Sequence, residues 1–219
     1  MLKEQVDLIK KIPIEVDVDT LRDILGKEYA NADNKIRSFV QNGVLVRVRP
    51  GWYVLSEPFR SRPVSLEYLA NVIYMPSYIS MDYALSFHGF IPERVETITS
   101  VTTKNTKIID TPLGRFSYKK ISRDAFRTGR DLFASEGKQS FFIATPEKAL
   151  ADKVQFDISI EEIYEIGLME YLVENLRIEQ ESLAGLSTSG LWEAARAYKS
   201  RKITSLAHFI EKLQMEDKS

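Results

Sequence analysis

Apolar residues recur at helical spacing from the start of the chain. Leu2, Val6, Leu8 and Ile9 form a stripe, and Pro13 ends it because proline lacks the N–H that a continuing helix needs. A second short helix is predicted to begin at Asp19 or Thr20, whose side-chain oxygens suit a cap. It runs through Leu21, Ile24 and Leu25 and stops at Gly26. A third is predicted from Asn31 or Asp33 to Gly43. Ala32, Ile36, Phe39 and Val40 fall on one of its faces. Asn34, Arg37, Ser38 and Gln41, spaced i, i+3, i+4, i+7, fall on the other. The period then changes to that of a strand. Val44, Val46 and Val48 alternate with Leu45, Arg47 and Arg49, Pro50-Gly51 supplies a turn, and 52–55 return. The pattern predicts a β-hairpin with Arg49 at its tip, flanked by Arg47 and Trp52.

Residues 56–63, SEPFRSRP, read as a linker. Beyond it, Ser65 is predicted to cap a helix through Leu66, Leu69, Ala70 and Ile73. Pro76 interrupts, and Ser80 caps a helix over 81–88 that Gly89 stops. Strands are predicted over 97–103, 107–111, 114–121 and 141–144. Thr145-Pro146 is a cap followed by proline at the first helical position, and further helices are expected over 169–177, 189–198 and 203–214. The expected fold class is therefore α+β. Residues 1–58 form an N-terminal winged helix-turn-helix. Residues 63–219 form a mixed α/β C-terminal domain, with a small antiparallel sheet in a β-rich part (97–144) and a helical tail (145–219).

That N-terminal order has a physical use. The major groove of DNA, about 12 Å wide, admits one α-helix. A helix that buries one face and offers short polar or basic side chains on the other meets that need. Asn34, Arg37, Ser38 and Gln41 meet it: asparagine and glutamine suit adenine and arginine suits guanine, while Lys35 lies to the side, where a phosphate contact is natural. Arg47, Arg49 and Trp52 on the hairpin would meet the backbone or the minor groove. The net charge of −1 hides an uneven distribution. Residues 35–62 hold six basic side chains and one acidic, and 94–130 hold nine basic and three acidic. Lys104, Lys107, Arg115, Lys119, Lys120 and Arg123 in the latter stretch are a candidate second basic surface for DNA or a partner, equally a solvated face. Alternation places Arg115 and Lys119 on the same side of a strand.

Other classes are disfavoured. The chain has no cysteine, which excludes disulfides and thiolate metal sites and fits a reducing cytoplasm. The opening MLKEQVDLIKKIP holds acidic residues and no long apolar run, so no secretory signal is expected. The two histidines stand in no metal-ligand spacing, and neither a phosphate-binding glycine loop nor a GxSxG elbow occurs. Asp110, Glu147 and Lys148 are the residues from which a metal-dependent nuclease would be built, but an acid in a helix's first turn explains Glu147 more simply. No catalysis, metal or cofactor is expected.

PSYISMDYALSFHGFIPE (76–93), ITSVTTKNTKIIDTPLGRFSYKKI (98–121) and FFIATPEKALADKV (141–154), taken with RVRPGWYVL (47–55), resemble the AbiEi family, antitoxins of type IV toxin–antitoxin (abortive infection) systems. The resemblance covers roughly residues 5–157. It implies a winged helix that represses the protein's own operon by binding inverted repeats in double-stranded DNA. It also implies a C-terminal domain that counteracts a nucleotidyltransferase toxin without a required stable complex. A solitary regulator and a protein-docking module are the alternatives. No dimerisation heptad is present and a monomer or weak dimer is expected; on a repeat, two monomers loading side by side and a stable dimer are equal alternatives.

Overall fold

The apolar stripes of the first sixty residues close on one another. The computed structural model describes residues 3–134, 139–158 and 165–216. Contacts divide the chain into two units, residues 1–69 with 110–114, and 70–109 with 115–219. In the first unit the elements run α1 (Lys3–Lys10), β1 (Glu15–Asp17), α2 (Val18–Leu25), α3 (Ala32–Gln41), β2 (Leu45–Arg49) and β3 (Trp52–Leu55). Leu8, Ile9, Ile12, Leu21, Leu25, Ile36, Phe39, Val44, Leu45 and Leu55 make one core. Removing each of these from water contributes about 2 kcal/mol.

Three details depart from the pattern-based expectation. The cap of α2 is Asp17, not Asp19 or Thr20. Its Oδ1 accepts the N–H groups of Asp19 and Thr20 at 3.0 Å each. A third strand, β1, pairs antiparallel with β3, giving the order β1-β3-β2. At three residues it is too short to show a period. Finally, β2 carries a bulge: Arg47 pairs with Tyr53 but Arg49 with Trp52, leaving Val48 as the extra residue. Strict alternation therefore fails. Leu45 and Val48 are buried, Val46 and Arg49 half-buried and Arg47 exposed.

The segment 56–65 is not a free linker. After a single 3-10 turn (Glu57–Phe59), Arg62 donates from Nη1 and Nη2 to the two carboxylate oxygens of Glu15 at 2.7 Å each. The Ser65 N–H donates to Glu15 Oε1 at 2.7 Å. The Glu15 side chain is fully sealed from solvent.

Further along the chain, α4 (Leu66–Val72) leads to β4 (Ser77–Ile79), α5 (Met81–Phe87), β5 (Ile98–Thr102), β6 (Lys107–Thr111) and β7 (Gly114–Lys120). Next come α6 (Arg123–Arg127), β8 (Arg130–Phe133), β9 (Phe141–Ala144) and α7 (Pro146–Phe156). Then α8 (Glu165–Met169) runs into a π-helical turn (Glu170–Asn175), and α9 (Gln180–Ala184), α10 (Thr188–Tyr198) and α11 (Arg201–Glu216) follow. The expected small antiparallel sheet is instead a six-stranded mixed sheet, ordered β6-β7-β5-β4-β9-β8. Pairs β4–β5 and β8–β9 are antiparallel, while β4–β9 and β5–β7 are parallel. The shortfall came from strands without a visible period. All three residues of β4 are buried, and all four of the edge strand β8 are exposed. Beside the sheet, α7 packs on the α10–α11 pair through Ala151, Ala194, Ala195 and Ile203. Among the described residues no helix is long and apolar enough to cross a membrane.

Candidate nucleic-acid interface

Helix α3 is built to show one face. Asn31 caps it, its Oδ1 accepting the Asn34 N–H at 3.0 Å. The chain leaves it through Gly43, whose φ of +68° only glycine adopts freely. Val44 N–H then returns to Phe39 O at 2.8 Å, seating β2 directly against the helix end. Ile36 and Phe39 are buried; Asn34, Arg37 and Gln41 are exposed and Ser38 half-buried. The polar side of α3 thus faces solvent, as the spacing predicts.

The side chains on that face are not equivalent. Arg37 Nη1 donates to Asn34 Oδ1 at 3.0 Å, and Asn42 Nδ2 donates to Ser38 Oγ at 3.2 Å. The Lys35 ammonium lies 4.4 Å from the Tyr29 ring centroid and 4.8 Å from that of Phe39, a cation–π seat at the flank of the helix. Arg22 joins α2 to α3, donating from Nε to Asp33 at 2.9 Å and from Nη1 to Asp19 at 3.1 Å.

On the hairpin, Arg47 is exposed and Arg49 half-buried. Gly51 makes the turn at φ +87°, and its carbonyl accepts the Val18 N–H at 2.9 Å, pinning the turn to the start of α2. Trp52 is half-buried and meets Tyr68 edge-on at 6.4 Å between centroids. Among the basic residues in 35–62, Arg62 is paired with the sealed carboxylate of Glu15.

The second basic stretch resolves into smaller groups. Lys104 and Lys107 sit 5.4 and 5.5 Å from the Tyr74 ring centroid, and the Tyr74 hydroxyl donates to Asn105 O at 3.0 Å. Lys120 Nζ reaches Asn105 Oδ1 at 3.5 Å. Arg115 and Lys119 lie on the exposed face of β7, opposite buried Phe116 and Tyr118, and Lys119 stands 5.9 Å from the Phe156 ring. Arg123 is exposed at the start of α6.

The residues weighed for a nuclease have other partners. Glu147 Oε1 accepts the Ser187 N–H at 2.9 Å. Lys148 is sealed from water and donates to Asp152 Oδ1, one helical turn along α7. Asp152, equally buried, also accepts the Ser80 hydroxyl at 2.6 Å and the Tyr198 hydroxyl at 2.5 Å. Burial pushes the Lys148 ammonium below the usual lysine range, and Asp152 opposes that shift. Burial first, then the Asp152 charge, pushes the Tyr78 and Tyr198 hydroxyls above theirs. His88 Nε2 lies 2.8 Å from Ala144 O, and His208 packs edge-on against Trp192 at 4.6 Å. Among the described residues no three His, Asp or Glu side chains gather as metal ligands.

Sequence reasoning missed both buried ion pairs, Glu15–Arg62 and Lys148–Asp152. The second has a readable signal: a lysine and an aspartate four apart on one helix, whose intervening positions, Ala149, Leu150 and Ala151, are all apolar, so that the helix is buried on every side. The first joins positions 47 apart and has none. No family model and no curated protein matches the chain.

Proposed function

We propose that residues 1–58 are a winged helix-turn-helix that binds duplex DNA, and that the chain acts as a transcriptional autorepressor rather than an enzyme. One observation carries this reading. A capped helix presents Asn34, Arg37 and Gln41 to solvent directly before a hairpin bearing exposed Arg47. A helix with that outer face suits the major groove, and the hairpin arginines suit phosphates beside it. The antitoxin role, counteracting a nucleotidyltransferase toxin, rests on the resemblance of 76–154 to the AbiEi family.

The test is anisotropy titration of the full chain on duplex from upstream of its own gene and on random duplex of equal length. Specific binding to an inverted repeat, weakening steeply with salt, is the expected result. Arg37→Ala should weaken the specific site more than random DNA, and Arg49→Ala should weaken both alike. Weak binding that ignores sequence would instead favour a protein-docking platform. The toxin role is tested separately, by co-expression with an adjacent nucleotidyltransferase gene and scoring growth.

A further inference from the structure

The hydrogen bonds on the outer face of α3 distinguish its members, and this inference rests on the DNA-binding reading above. An asparagine that reads adenine uses its carbonyl oxygen to accept from the base N6 amino group and its amide to donate to N7. In this chain the Asn34 carbonyl oxygen already accepts from Arg37 Nη1 at 3.0 Å. Ser38 Oγ is engaged by Asn42, and the Lys35 ammonium is seated over two rings. Arg37 is in the opposite situation. It is exposed, one turn from its partner, and the bond to Asn34 occupies only one of the five N–H donors of a planar guanidinium. A fork steadied at one corner loses less rotamer freedom when it meets a second planar acceptor pair.

We propose that Arg37 is a base reader of α3, that its ligand is the O6/N7 edge of a guanine in the major groove, and that Asn34 is a positioning residue for that guanidinium rather than an adenine reader. Each operator half-site then contains a G·C pair under Arg37 and requires no A·T pair under Asn34. The asparagine cap at position 31 supports this arrangement by fixing the Asn34 backbone in the first turn.

The experiment starts from selection of duplexes by the full chain out of a pool with a randomised core. A motif in each half-site holding an invariant guanine is expected. Replacing that guanine with 7-deazaguanine, which lacks the N7 acceptor, should weaken the wild type about tenfold and leave the Arg37→Ala variant unaffected. Arg37→Lys, which keeps the charge and loses the fork, should behave like Arg37→Ala at that base. Asn34→Ala should weaken the guanine site less than Arg37→Ala while retaining the 7-deazaguanine sensitivity, with binding to random duplex unchanged. A merely structural role for Asn34 would weaken specific and random duplex alike. Loss of preference at an A·T position in Asn34→Ala overturns the proposal, as does equal 7-deazaguanine sensitivity in wild type and Arg37→Ala. In both cases DNA recognition itself survives. A pool that yields no motif overturns this proposal and the DNA-binding reading together.

Discussion

The pair Lys148–Asp152 permits a quantitative test of what holds the second unit together. Lys148→Met removes the ammonium and keeps the aliphatic length. Asp152 is then a carboxylate at zero exposure, still receiving the Ser80 and Tyr198 hydroxyls at 2.6 and 2.5 Å. Breaking a buried ion pair costs about 3–5 kcal/mol. With two of its three donors kept, this variant belongs at the low end, about 3 kcal/mol. Asp152→Leu is worse. It strands an ammonium whose remaining neighbours are the Tyr198 hydroxyl at 3.5 Å and two ring faces at 4.9 and 5.7 Å, and it takes the acceptor from two hydroxyls. The cost should reach about 5 kcal/mol. The double variant leaves no buried charge and should be more stable than Asp152→Leu alone. The chain has two tryptophans, Trp52 in the first unit and Trp192 in the second, so a Trp52→Phe background makes fluorescence report the second unit only. Urea unfolding in that background, with unchanged m, gives the three free energies. A double variant whose cost equals the sum of the singles, or Lys148→Met costing under about 1 kcal/mol, would refute the argument, since coupled charges cannot behave additively.

Three further outcomes follow. Gly129→Ala should cost about 2–4 kcal/mol by the same urea assay, because φ is +56° and a new Cβ would lie 2.5 Å from Lys148 Cβ; Gly51→Ala, strained at φ +87° with open space around it, should cost only about 1 kcal/mol, read from Trp52 fluorescence in a Trp192→Phe background. In an alkaline titration followed at 295 nm with circular dichroism, Tyr78, Tyr171 and Tyr198 should ionise only as the chain unfolds. Burial raises all three above the ordinary value of about 10, so the native state holds more protons there and loses stability as pH rises. Lys148, lowered by burial, acts in the opposite sense. Smooth ionisation of all ten tyrosines near pH 10 with an unchanged spectrum would contradict this.

What was legible from sequence is what local physics determines. The stripe of α3, its start at one of two candidate caps, Asn31 or Asp33, the Pro50-Gly51 turn, the Thr145-Pro146 start and the exposed row Asn34, Arg37, Gln41 all follow from residues within one or two turns of each other. The illegible parts depend on distant partners. Strand β4, Ser77–Ile79, exists because β5 and β9 flank it, and three buried residues in a row carry no alternation. The bulge at Val48 breaks a pattern that the valines themselves suggest. The face of α3 was readable, but the bond from Arg37 to Asn34 on it was not, because an asparagine free to meet a base and one engaged by its neighbour have the same spelling.

Charge counting shows the same limit, and it can be tested. Residues 35–62 hold six basic side chains, but a cation contributes to the salt dependence of DNA binding only if its pairing with phosphate releases a counterion. Arg62 is already neutralised by both oxygens of Glu15, whose carboxylate is sealed from water. Arg47 is exposed on the hairpin. Arg47→Ala should therefore reduce the slope of log K against log salt by about 1. Arg62→Ala should leave that slope unchanged and instead destabilise the first unit by about 3 kcal/mol, because Glu15 would keep only the Ser65 N–H. Trp52 fluorescence in a Trp192→Phe background measures the second quantity. If Arg62→Ala flattens the salt slope as much as Arg47→Ala does, the Glu15 clamp opens on DNA and Arg62 belongs to the interface.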